Sequence, residues 1–246
     1  MDIQTIALLF FVGTIAGLLN VGAGGGSSLT LPVLIFLGLE SALANGTNRV
    51  ALIAQNIFAI FGFEQEKQNE FKNSLRYAIF TLPGAVIGAF IAIRISDVYF
   101  QRILAVIMML IVATMFLPKM STNNDKRSHK KPWIVYAALV GVGFYGGFIQ
   151  VGVGFLIMAT LFHLAGLSLV KVNVHKVCIV LLYTIPALTI FILSDNVNWP
   201  FGLTLAAGNG LGGWLSARIS VKKGEGYIRI ILSLAIIIMA YKLLVS

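Results

Sequence analysis

The sequence predicts an all-α integral membrane protein built as two inverted repeats of about five hydrophobic segments each. Some segments are broken by glycine or re-entrant, for eight to ten membrane segments in all. Three observations lead there. The chain has 246 residues, 58% hydrophobic and only 11% charged, with a mean hydropathy of +0.92, which is too little polar surface to cover a soluble globule. Apolar runs of about 17 to 25 residues, each able to cross roughly 30 Å of hydrocarbon, recur along it. The second half also repeats the glycine pattern of the first.

The first-half runs lie near 3–21, 23–39, 45–63, 75–93 and 98–117. The opening run has no basic stretch before it, so it reads as a retained span and not a cleaved leader. The polar stretch PKMSTNNDKRSHKKP at 118–132 separates these from runs near 133–151, 153–167, 173–193, 199–217 and 228–245. The expected organisation is an N-terminal membrane repeat (1–117), a cytoplasmic basic linker (118–132) and a C-terminal membrane repeat (133–246).

A shift of 130 residues sets Gly13, Gly17, Asn20, Gly22 and Gly24 on Gly143, Gly147, Gln150, Gly152 and Gly154. With small gaps, Gly38 and Asn45 fall on Gly166 and Asn173, Gly84, Gly88 and Arg94 on Gly208, Gly212 and Arg218, and Arg102 on Arg229. The matches keep their order and fall on residues with backbone roles. Five segments per half is an odd number, so the second half enters the membrane inverted. Of the 18 basic residues, an external N-terminus leaves only Arg49, Arg94, Arg102 and Lys242 outside the cytoplasmic loops, as the positive-inside bias requires. Both termini are then outside. Re-entrant segments would lower the number of full crossings without changing this parity.

GLLNVGAGGGSSLTLP at 17–32 is not written like an ordinary span. Glycine exposes backbone, and unpaired N–H groups are costly in hydrocarbon. Gly-interrupted segments at corresponding places of inverted repeats point to a secondary transporter with its site near the midplane. The helix after the break is expected to present unpaired N–H groups and a positive dipole end to an anion. Gly24, Gly25 and Gly26 supply the turn, Ser27 and Ser28 supply hydroxyls, and Gly152 and Gly154 bring the matching turn from the other half. A second polar cluster starts the next span of each half, with Asn45, Thr47 and Asn48 opposite Asn173, His175 and Lys176. Ionisable groups at membrane depth tend to face a cavity. Lys176 has two readings, an anion ligand or an anchor snorkelling to the headgroups. Lys171 reads as an anchor, Gln55 and Asn56 as interhelical hydrogen bonders, and Arg94, Arg102, Arg218 and Arg229 as anchors. The pairs Gly13/Gly17, Gly84/Gly88, Gly143/Gly147 and Gly208/Gly212 read as close helix packing, and such faces also offer a homodimer interface.

Intramembrane catalysis lacks its parts, because the sequence contains no HExxH, paired intramembrane aspartates or CxxC and only three histidines. The lone Cys178 reads as a small buried hydrophobe. No cofactor and no nucleic acid is expected; the partners are the bilayer and a small anion.

Three features resemble the sulfite exporter TauE/SafE family over almost the whole chain. They are G-x-x-x-G leading to a Gly-rich turn, then x-L-P-x-L (Leu31, Pro32, Leu34), then A-x-G-T-x (Ala44, Gly46, Thr47), with a lysine replacing the hydroxyl region in the second half. The resemblance implies an inner-membrane permease of two similar halves for small anions such as sulfite, sulfoacetate or other organosulfur compounds, with a channel as the alternative. The second turn departs from the pattern, with Phe155 and Leu156 in place of Gly25 and Gly26.

Residues 64–76 and 118–132 carry much of the basic charge and are predicted to face the cytoplasm. Single cysteines placed at residue 125 or 130 should stay unlabelled by an impermeant thiol reagent in intact cells. Labelling there would reverse the orientation.

Overall fold

The computed structural model describes residues 1–68, 70–116 and 132–222. They form helices α1 (Ile3–Ala23), α2 (Ser27–Phe36), α3 (Ser41–Gln65), α4 (Phe71–Ala92), α5 (Asp97–Phe116), α6 (Pro132–Phe148), α7 (Val153–Ala159), α8 (Leu169–Leu193) and α9 (Trp199–Lys222), with a π-helical turn, Thr160–Leu164, after α7. No strand occurs among the described residues, and the fold is the all-α membrane architecture expected. The expected run at 228–245 and nearly all of the basic linker lie outside the described residues.

Local chemistry sets the ends of α1. Asp2 accepts the Thr5 N–H at 3.2 Å, a side-chain N-cap. Gly24, at φ 89°, closes the other end and returns its N–H to the Asn20 carbonyl at 2.8 Å, a conformation glycine adopts without a Cβ penalty.

Helix length decides what crosses the membrane. Ile3–Ala23, Phe71–Ala92 and Val170–Leu193 are long and apolar enough to cross unaided. α3 and α9 are as long, at 25 and 24 residues, but bury polar side chains such as Asn48, Arg49 and Asn209. α2 has 10 residues, about 15 Å at 1.5 Å per residue, and α7 has seven. The runs at 23–39 and 153–167, counted as spans from their hydropathy, are therefore half-length returns. In the first of them hydropathy counted the glycine turn at 24–26 as helix.

The helices of the two halves interleave. α1 and α3 of the first half pack on α9 of the second, α6 and α8 of the second pack on α4 of the first, and α3 crosses α8. The glycine pairs make the closest crossings. A Cβ on Gly13 or Gly17 would strike the Leu205 or Asn209 carbonyl of α9, and one on Gly84 or Gly88 the Val140 or Phe144 carbonyl of α6. Gly143 and Gly147 meet Thr81 and Ala85, while Gly208 and Gly212 meet Phe10 and Thr14. These faces, read as a homodimer interface, are filled within one chain. Large apolar side chains point outward instead, with Leu193 80%, Ile3 76% and Phe11 65% exposed, as lipid-facing surface does. Tyr99, Trp133 and Trp199 stand exposed in the first turns of α5, α6 and α9, where amphipathic rings meet headgroups.

Two alanine substitutions should part company. Gly88→Ala drives a Cβ into the Phe144 carbonyl, whereas Gly141→Ala meets nothing within 4 Å. Gly88→Ala is expected to lose about 1–3 kcal/mol by overpacking and Gly141→Ala to lose nothing. Thermal unfolding of both variants in detergent, monitored by circular dichroism, checks this.

Candidate functional site

Both hairpin turns end at one place. Gly24, between α1 and α2, lies against Gly154 at the start of α7. A Cβ on Gly24 would fall 2.8 Å from the Gly154 carbonyl carbon, and one on Gly154 would fall 2.5 Å from the Gly24 Cα. Only glycine at both positions permits this approach. Gly26 is pressed against the Ala16 carbonyl and Asn20, and Gly152, at φ 69°, packs on Ile111. Gln150 takes φ 55° without being glycine, a strained conformation that neighbours must hold. Its side-chain amide does so, donating to the Asn45 carbonyl at 3.1 Å and Oδ1 at 2.9 Å.

Each turn leaves helix-end carbonyls inside the protein, and a cation from the opposite half answers them. The ammonium of Lys176 on α8 donates to the Val21 carbonyl at the end of α1 and to Asn173 Oδ1, both at 2.8 Å. The guanidinium of Arg49 on α3 donates to the Gly146 carbonyl at 3.2 Å and to that of Gly147, at the end of α6, and lies 4.8 Å from the Phe191 ring centroid. Neither is exposed, at 2% for Lys176 and 0% for Arg49. The equivalent asparagines support them: Asn173 holds Lys176, while Asn45 accepts from Arg49 at 3.5 Å and donates to the Phe148 carbonyl at 2.8 Å. The negative end of a helix dipole favours a cation, and a buried cation requires such acceptors.

Beside Lys176 lies a small cavity of about 10 Å³, lined by Asn20, Ser27, Gln55, Asn56, Gly154 and Lys176 together with apolar Leu52, Val153, Val177 and Val180. It holds about one water. Asn20 donates to Gln55 Oε1 at 3.2 Å and Asn56 to the Leu52 carbonyl at 2.7 Å. The lining therefore comes from both hairpins and from the long helices α3 and α8.

The sequence-expected residues do not converge on one spot. Ser27, Gly154 and Lys176 line the cavity, Gly24 backs it, and Asn173 positions Lys176. Gly25 lies buried in the same turn. Asn45 belongs to the Arg49 cluster. Thr47 Oγ1 accepts the Asn198 N–H at 2.8 Å before α9 and lines no part of the cavity. His175 faces away to a separate cleft, with Nδ1 2.8 Å from Ser74 Oγ. Asn48, at the repeat position of Lys176, is fully buried and has no hydrogen-bond partner for either amide atom. The expectation of open N–H groups at the start of α2 is corrected in part, because those of Ser28 and Leu29 return to the Gly25 and Gly26 carbonyls at 3.1 and 2.9 Å. The Ser28 and Thr30 hydroxyls are nevertheless buried and unpartnered. Asn20, Gln55 and Asn56 were missed as lining residues. Their signal was present, since polar residues inside apolar runs tend to face cavities.

The sulfite exporter TauE/SafE family matches residues 9–243. A Haemophilus influenzae protein is 26% identical over 230 residues, covering 92% of this chain and 89% of its own. YfcA of Escherichia coli K12 is 28% identical over 241 residues, covering 97% and 89%, and ORF9 of Sinorhizobium is 27% identical over 240 residues, covering 97% and 92%. All three bear the name probable membrane transporter protein. No solved structure matches the chain significantly. An all-helical, lipid-facing chain whose two broken hairpins meet at a buried cavity, matched from end to end in this way, belongs to the sulfite exporter TauE/SafE family and is a membrane transporter.

Proposed function

We propose that the chain is a secondary permease for small sulfur-containing anions, sulfite or organosulfonates, working by alternating access between inverted repeats. The observation that carries this is the cavity at the meeting of the two turns, with a buried ammonium on its wall and donors from Asn20, Asn56 and Ser27 beside it. An anion entering there takes the place of the Val21 carbonyl on Lys176. It trades a neutral acceptor for a charged one, and the charge-assisted hydrogen bond is about twice as strong.

Two further observations support the inverted repeat. α3 and α8 occupy corresponding positions and both run 25 residues. Exchanging the halves turns the α1–α9 packing into α6–α4 and α3–α9 into α8–α4, all of them present. A cavity of one water is smaller than sulfite, so the anion is admitted only when the turns separate. The Gly24–Gly154 contact has no side chains to interlock, which lets the hairpins part. Discrete sites on broken helices between repeats are how secondary transporters expose one site to each side in turn. The distribution of basic residues supports both termini outside, and the bacterial relatives support an inner-membrane location.

Uptake of labelled sulfite into proteoliposomes at equal protein load tests the site. Lys176→Gln removes the charge, and half-saturation should rise about tenfold or more, for roughly 1.4 kcal/mol lost. Lys176→Arg keeps the charge as a larger planar fork and should be only partly tolerated. Unchanged half-saturation in both variants would remove Lys176 from the site. Gly25→Leu should insert normally and transport nothing, since a branched side chain fills the turn; normal transport in that variant would reduce the glycine run to packing.

A further inference from the structure

A cleft of about 250 Å³ opens between the start of α4 and the start of α8, lined by Glu70, Lys72, Asn73, Arg76, Tyr77, Leu167, Lys171 and His175. It shares no lining residue with the central cavity. Its one carboxylate is already committed, because Glu70 accepts from Asn73 at 2.6 Å and pairs with Lys171 at 3.2 Å. Those two contacts, Asn73 first, hold its carboxyl below the usual range. Lys72 and Arg76, four residues apart on one face of α4, are exposed and form no ion pair with any described residue. Arg76 is braced instead by the Tyr136 ring, 5.5 Å from its centroid.

At the buried edge of the cleft stands His175. Ser74 Oγ lies 2.8 Å from the Glu70 carbonyl oxygen and 2.8 Å from His175 Nδ1; with its proton on the carbonyl, the hydroxyl oxygen accepts from Nδ1–H. In that arrangement Nε2 is the nitrogen that takes a proton. The Tyr77 ring meets the imidazole edge to face at 5.4 Å, while Tyr77 and Leu167 give the cleft apolar walls.

We propose that this cleft is a second anion site, taking an oxyanion head group, sulfate, sulfonate or phosphate, between Lys72, Arg76 and His175. The head group is either free in solution or carried by an anionic lipid. Two unopposed cations on one helix face match the charge and donor pattern of such a group, with the His175 imidazole beside them donating from Nε2 once it is protonated, and the volume exceeds that of a bare anion. The site stands independently of the central cavity and of the proposed substrate.

The test uses the full chain in neutral detergent, titrated calorimetrically with inorganic sulfate, and native mass spectrometry after exposure to phosphatidylglycerol for the lipid source. Lys72→Gln combined with Arg76→Gln alters exposed side chains, and His175→Gln serves as a second variant. The double variant should weaken sulfate or phosphatidylglycerol binding about tenfold or more for the two lost charges. His175→Gln should weaken it less. Retention of phosphatidylglycerol by the unaltered chain, displaced by sulfate, assigns the lipid source, whereas sulfate binding alone assigns a free anion. Binding by neither probe, binding unaffected by the double variant, or binding lost through Lys176→Gln and kept in the double variant would overturn the proposal.

Discussion

The carbonyls at the inner ends of α1 and α6 must be satisfied where there is no water. A helix leaves its last carbonyls without intrahelical partners, and in hydrocarbon each orphan costs several kcal/mol. Here each end is answered by a cation from the other half, Lys176 at Val21 and Arg49 at Gly146 and Gly147. The dependence is mutual, because neither buried cation is tolerable without those acceptors. Much of the architecture follows. α3 and α8 must cross at the centre to deliver their cations, Asn45 and Asn173 must stand beside them, and the hairpins must stop where the cations reach. The glycines at 24 and 154 then let the two turns touch.

The two ends are not equivalent, and the difference has a functional sense. Arg49 uses its planar fork on two adjacent carbonyls and a ring face, lining no part of the central cavity. It acts as a brace, reinforced by Gln150 and Asn45 around the strained end of α6. Lys176 is compact, with rotatable donors on a flexible stem, and it does line the cavity. An ammonium can turn from a carbonyl to an entering anion with little rearrangement. On the opposite half, the repeat position holds the neutral, unpartnered Asn48. In the proposed repeat, two helix ends are supported and one cation is offered to the proposed anion.

Much of this was legible in the sequence because it rests on backbone constraints that only certain residues meet. Glycine positions predicted both the breaks and the tight crossings, and the turn at 150–154 approaches the turn at 22–26 as expected. Length was less legible. Apolar runs at 23–39 and 153–167 measure hydropathy, and the glycine turn at 24–26 adds to the first without adding helix. The cavity at the meeting of the turns draws on some of the expected residues and not on others. Asn45, Thr47 and His175 sit on the same helices as the lining residues, but a helix turns about 100° per residue. Neighbours in sequence accordingly face the α6 end, the start of α9 and the outer cleft. Asn20, Gln55 and Asn56 carried the mark of polar residues in apolar runs, which does not distinguish a cavity wall from an interhelical bond until the packing is known; Gln55 serves as both.

One binding site exposed alternately to the two sides is the centre of this account, and counterflow measures it directly. Proteoliposomes preloaded with unlabelled sulfite are diluted into a trace of labelled sulfite. A carrier whose Lys176 cavity opens to one side at a time exchanges outgoing for incoming anion, so label should rise transiently above its equilibrium level and then fall. Label that only relaxes monotonically to equilibrium, at a rate indifferent to the internal load, would mean a continuous pore and contradict the account.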